Sequence, residues 1–186
     1  MIEVDTSRNP AEFVVADQVL FRFALIFTAL YPVVLTTLFI ALYPLGYLRE
    51  GINFLWHLVL WFVPIVIAHE GLHALVWALL SGKWRHISFG FHRQYFTFYT
   101  HCSVPLSKAT YFAGGIAPFV VLSLIPAVYA FVSPGYYWLA FAIFNGWTCV
   151  ADLLMCYYIL LLPSRVRLLD HPQKLGFYIF FSQQKS

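Results

Sequence analysis

Charge is what this chain has least of. Only 10% of its 186 residues are Asp, Glu, Lys or Arg, where a soluble domain carries about 25%. Together with 61% hydrophobic residues and a mean hydropathy of +0.76, that scarcity excludes an ordinary soluble domain and predicts an integral membrane protein. A net charge of +3 with no basic run provides no footprint for nucleic acid. Cysteine is nearly absent. Cys102, Cys149 and Cys156 are an odd set without framework spacing, so no disulfide scaffold is expected. Internal repeats and low-complexity segments are missing too. The length suits one compact bundle, a single membrane-embedded domain over residues 1–186 with its core at 53–163. No cleavable signal peptide is expected, because the first apolar stretch is too long for one and follows an acidic leader.

What is present is long apolar runs. Four of them, at about 19–47, 53–82, 108–132 and 136–163, can each cross about 30 Å of hydrocarbon at 1.5 Å per residue. The first ends at Gly46-Tyr47 and the second at Gly82-Lys83. Ser133-Pro134-Gly135 joins the third to the fourth, which Pro163 closes. Pro32, Pro44, Pro64, Pro118 and Pro126 fall inside the runs, where neighbouring helices tolerate kinks. With the N-terminus in the cytoplasm, Arg49 alone of the 11 Lys and Arg residues is left outside. The positive-inside rule therefore predicts a multi-pass protein with both termini cytoplasmic.

The loop from Trp84 to Leu106 has a different texture. Ile87, Phe89 and Phe91 alternate with polar or small residues, and Phe96 and Phe98 do so after His92-Arg93-Gln94. Period-two alternation about a polar turn reads as a hairpin at the cytoplasmic membrane surface; the alternative is a surface loop whose aromatics dip into lipid. The predicted fold is thus an all-α membrane protein, four transmembrane helices with a short β-hairpin between helices two and three.

Of the eight acidic residues only Glu70 and Asp152 lie within the apolar runs. A carboxylate at the centre of a bilayer costs at least about 2.5 kcal/mol, so such residues are functional candidates. Glu70 belongs to His69-Glu70-Gly71-Leu72-His73, an H-E-x-x-H run. On a helix His69 and His73 share one face at zinc-ligand spacing, and Glu70 sits beside them, placed to act on a metal-bound water. Asp152 is the candidate third ligand. His69 and Asp152 each lie 16 residues past the expected start of their helices, about 24 Å along each. Two neutral imidazoles, two carboxylates and Zn²⁺ sum to zero charge, whereas the two acids without a metal would sit desolvated together. Asn145 and Thr148 precede Asp152 by seven and four residues and share its expected helix face. They are candidates to orient the ligand or donate to an oxyanion, or simply to bond between helices. Gly114, Gly115 and Ala117 thin the third helix, which permits close helix approach and would leave room for a substrate strand. His57, His86, His92, His101 and His171 fit the cluster less well, although His101-Cys102 could reach in as a ligand pair.

With these residues the chain resembles intramembrane zinc metalloproteases of the site-2 protease type, and more narrowly the small four-helix membrane proteins grouped as putative zincin peptidases. The resemblance spans about residues 53–163. It implies His69, His73 and Asp152 as Zn²⁺ ligands, Glu70 as catalytic base, and a zinc endopeptidase cleaving membrane-associated peptide segments within or beside the bilayer. One departure stands out. Site-2 proteases carry an Asn-Pro…Asp-Gly signature on the last core helix, whereas here Gly146 follows Asn145 and Leu153 follows Asp152. The alternative is therefore a non-catalytic metal-binding membrane protein, a degenerate protease. A metal transporter ranks behind both, because the outer halves of the helices offer little polar path beyond His57.

Overall fold

A computed structural model describes residues 10–43, 48–92, 97–171 and 174–181. Gly46-Tyr47, Pro44 and the polar turn expected at 93–96 lie outside these residues, as do Arg8 and Lys185. Helix α1 (Asp17–Leu42) and helix α2 (Leu48–Ser81) are long and apolar, with Pro32 and Pro64 in their interiors. Arg49 and Glu50 lie in the first turn of α2 rather than in a loop. The third apolar run is one helical rod, α3 (Lys108–Pro118), a π-helical stretch (Phe119–Leu124) and α4 (Ile125–Val132). Pro126 supplies no N–H to the turn before it, and the Ile125 N–H bonds back to Val120, five residues away.

The wider turn is sealed by polar contacts to neighbouring helices. Ser123, in the π stretch, is fully buried, lies 2.6 Å from the Tyr31 hydroxyl of α1 and donates to the Ala142 carbonyl at 2.6 Å. Its hydroxyl is therefore satisfied where no water reaches.

The fourth run is not one straight helix. It forms α5 (Tyr136–Thr148) and α6 (Val150–Leu161), bent by 60° at Cys149. The cause is local. In an unbroken helix the Cys149 N–H would bond to the Asn145 carbonyl. Here it turns to Gly146 at 3.2 Å, and the Thr148 hydroxyl takes the Asn145 carbonyl at 2.8 Å. A new helix starts with Leu153 N–H to Cys149 O at 2.9 Å, which places Asp152 in its first turn. Among the described residues three helices are long and apolar enough to cross a membrane, or four if the bent pair counts as one span.

The expectation of an all-α chain needs correction, since the described residues hold two sheets. Strands β2 (Ile87–His92) and β3 (Thr97–Cys102) form the expected antiparallel hairpin. The second sheet was not foreseen. Strands β1 (Ala11–Val14), β4 (Leu106–Ser107), β5 (Val166–Asp170) and β6 (Gly176–Phe181) form an antiparallel sheet in the order β1-β6-β5-β4. It joins the segment before α1 to the segment after α6. Its inner face carries Leu106, Val166, Leu168, Phe177 and Ile179, which pack with Trp77, Tyr111, Leu154 and Ile159 of the helices in one core. That core sits where α2 ends, α3 begins and α6 ends; Lys108 at the start of α3 bonds the Leu160 carbonyl at 3.1 Å and also that of Leu162.

Candidate metal centre

His69 and His73 lie one turn apart on α2, and both are buried. Their Nε2 atoms are 3.2 Å apart. Asp152 comes to them from α6, with Oδ2 3.2 Å from His69 Nε2 and Oδ1 3.5 Å from His73 Nε2. Ligand atoms at about 2.0–2.1 Å from a tetrahedral Zn²⁺ stand about 3.3 Å from one another, so these separations, one to each oxygen of Asp152, are in the range that shared ligation of zinc requires. Asp152 reaches this position through the bent α5–α6 pair rather than at equal depth on a straight helix.

The outer nitrogen of His73 is held as in metal-binding imidazoles. His73 Nδ1 lies 2.8 Å from the Gly114 carbonyl of α3. A donor there must carry the proton, which leaves the Nε2 lone pair free to face inward. A side chain at position 114 would run into the Trp77 indole. Glycine lets α3 come this close while Trp77 stacks on the His73 ring, with centroids 5.6 Å apart, and donates to the Tyr111 carbonyl at 3.2 Å. Cys149 Sγ is 3.9 Å from His69 Nδ1. A His69, Cys149 and Asp152 set also falls within metal-binding range, its atoms within 4.8 Å of one another. The sulfur, however, lies against the outer nitrogen of His69. The tighter triangle is the one on the Nε2 side, and Cys149 sits behind it as a partner of the ring.

Glu70 points into the same cavity, and a residue of the hairpin holds it. The Thr100 hydroxyl lies 2.9 Å from Glu70 Oε2 and 2.8 Å from the Glu70 carbonyl oxygen, so its one proton is shared between them. The cavity encloses about 250 Å³ between the two histidines, Glu70 and Asp152, strand β3, and Asp170, His171, Lys174, Leu175 and Gly176. On the far wall Asp170 of β5 accepts from the Tyr111 hydroxyl through Oδ1 and from the Cys102 N–H through Oδ2 at 3.2 Å, and His101 Nδ1 is 3.6 Å from Oδ2. The neighbouring carboxylate raises His101 above its ordinary value, and burial raises the Cys102 thiol.

Other sequence candidates fall elsewhere. Asn145 is fully buried and donates to the Phe141 carbonyl of its own helix at 2.8 Å, while its Oδ1 has no partner among the described residues. Thr148 lines the cavity, but its hydroxyl is spent on Asn145. The bend at Cys149 removes both from a shared helix face with Asp152. Cys102 is buried in the core with its thiol toward the Val104 carbonyl. His57 is exposed near Tyr137, His86 bonds Ser103, and His171 pairs with Glu12. The side chain of His92 is outside the described set. Thr100, Trp77, Tyr111 and Asp170 were not singled out from the sequence. Their partners lie far away along the chain, and no local pattern marks them.

Two imidazoles and a carboxylate on one face of a cavity, with a second carboxylate beside them, make the donor set of a zincin. The chain belongs to the putative zincin peptidase family: that family's model matches residues 62–167, which takes in the paired histidines, Glu70, the hairpin and Asp152. No curated protein and no solved structure matches.

Proposed function

We propose that the chain is a zinc endopeptidase that cuts membrane-associated peptide segments at the cytoplasmic side of a bilayer. The observation that carries this reading is the convergence of two Nε2 atoms 3.2 Å apart on one carboxylate, whose Oδ2 lies 3.2 Å from His69 and whose Oδ1 lies 3.5 Å from His73. His69, His73 and Asp152 would hold Zn²⁺, which when bound supplies a Lewis acid and lowers the pKa of water. The chain's own residues do the rest. Glu70 takes a proton from the attacking water and later passes it to the leaving amine. Thr100 keeps the Glu70 carboxylate from rotating away. His73 stays in the right tautomer because Gly114 accepts from its outer nitrogen.

The substrate would add to the hairpin. Ser103 N–H donates to His86 O at 2.9 Å, and antiparallel pairs alternate between bonded and open. Tyr99 and His101 therefore bond inward to β2, and Phe98, Thr100 and Cys102 present their main-chain groups to the free edge. Cys102 N–H donates to Asp170 from that edge. Phe98 and Thr100 line the cavity, so an extended peptide pairing there would pass the metal face and Glu70.

The lipid setting follows from the helices. Leu25, Ile26, Leu30 and Val33 of α1 are all more than half exposed, and a covering of acyl chains is the setting in which such a surface is favourable. The pairing of β1 with β6 favours both termini on one side.

Metal content of the purified protein tests the reading. About one zinc per chain is expected in the wild type, with loss in Asp152→Ala. Glu70→Gln should keep the metal and lose turnover of a labelled model substrate such as β-casein. A wild-type protein without metal, prepared free of chelator, would sink the proposal, and cleavage retained in Glu70→Gln would remove Glu70 as the base.

A further inference from the structure

In amide hydrolysis a hydrogen-bond donor beside the metal helps to carry the charge that develops on the carbonyl oxygen, and the side chains of the cavity wall hold few donors still available. The Thr100 hydroxyl is committed to Glu70, that of Thr148 to Asn145, that of Tyr111 to Asp170, and the Trp77 N–H to the Tyr111 carbonyl. The His171 ring and the Lys174 ammonium face Glu12 at 3.0 and 3.7 Å. His101 differs. Its Nδ1 faces Asp170, and its Nε2 has no partner among the described residues. It lies in β3 and lines the same cavity as Glu70 and Asp152.

We propose that His101 is a further catalytic residue, donating from Nε2 to the scissile carbonyl oxygen as water adds, with Asp170 and Tyr111 as positioning residues. The proposal rests on the peptidase reading above. Water oxygen bonds to the carbonyl carbon, the carbonyl π pair moves onto oxygen, and Glu70 takes the water proton. His101 shares its Nε2 proton with that oxygen without giving it up. The pair returns as the C–N bond breaks, and the amine leaves with the proton from Glu70. Preorganised donors of this kind are effective because they need no reorientation during the reaction. Asp170 is well suited to prepare one. Its two oxygens are already fixed by the Tyr111 hydroxyl and the Cys102 N–H, so the ring is oriented by a carboxylate that cannot swing. The same carboxylate favours the cationic ring, which carries a proton on both nitrogens.

The test uses the full-length zinc-loaded protein in detergent and two probes whose binding is read by calorimetry. A phosphinic peptide places a charged tetrahedral oxygen where the oxyanion forms, and benzohydroxamate is a planar metal chelator. His101→Gln should weaken the phosphinic peptide by about 10²-fold, the loss typical of one oxyanion donor. Zinc content and benzohydroxamate affinity should stay as in the wild type, and kcat on β-casein should fall with KM unchanged. Asp170→Asn should shift the phosphinic peptide in the same direction by less. Equal weakening of both probes, or of neither, would overturn the role of His101 while leaving the peptidase reading standing. A wild-type protein that takes up no zinc and binds neither probe would overturn both.

Discussion

A single hydroxyl helps to set where Glu70 points. Thr100 reaches the carboxylate from a different element, so this side chain is held by the hairpin as well as by α2. A hydrogen bond to a charged group contributes about 1.5–3 kcal/mol, and about 1.4 kcal/mol is tenfold in rate. Thr100→Val, which keeps the shape and removes the hydroxyl, should therefore lower kcat on β-casein by about 10- to 100-fold. Zinc content should be unchanged, and Thr100→Ser should restore most of the rate. A Thr100→Val enzyme as fast as the wild type would mean that Glu70 is held by something else. The residue scale also shows what a linear reading can and cannot find. His69, Glu70 and His73 are legible because their spacing is local and helical, and Asp152 because an acid in an apolar run is conspicuous. Thr100 is invisible, since a threonine in an alternating strand has many ordinary reasons to be there. Asp170 is equally hidden, because its partners Tyr111 and Cys102 are 59 and 68 residues away.

At the scale of elements, the apolar runs predict the helices well, and the break at Cys149 shows where that reading stops. Hydropathy does not register a threonine hydroxyl competing with a backbone N–H for the Asn145 carbonyl, yet that competition bends α5–α6 and delivers Asp152. The terminal sheet was illegible for a related reason. β1 has four residues and β4 two, and β1 finds its partner β6 at the opposite end of the described chain. The His101–Asp170 pair joins this sheet to the hairpin, and its effect on stability has a definite sign. The folded protein raises His101 above 6.5, so the folded state binds its proton more tightly than the unfolded chain. The contribution is fully present below about pH 6.5 and is lost as pH rises through the folded value. Thermal midpoints measured from pH 5 to 9 should therefore converge for wild type and His101→Gln toward alkaline pH and separate on the acid side, wild type higher. Parallel curves would show that the pair does not couple to folding.

The whole molecule is arranged about one end. β1 enters α1 there, α2 leaves into the hairpin, β4 leads into α3, and α6 returns to β5 and β6, so the sheet, the hairpin and the cavity that residues of both line are gathered together. A sheet whose strands flank three different helices can form only if those helix ends emerge on the same side of whatever the helices cross. Four passes satisfy that condition and three do not, which makes the bent α5–α6 pair a complete crossing in this proposal. Side-specific labelling can decide it. Trp84 and Lys174 are exposed at the sheet end, and Ser133 is exposed in the turn between α4 and α5. In a background where Cys102, Cys149 and Cys156 are replaced, cysteine at 133 should react with a membrane-impermeant maleimide on intact cells. Cysteine at 84 or 174 should react only after permeabilisation. Labelling of 133 and 174 from the same side would make α5–α6 a re-entrant pair and place the metal face in a loop that dips into the bilayer and returns.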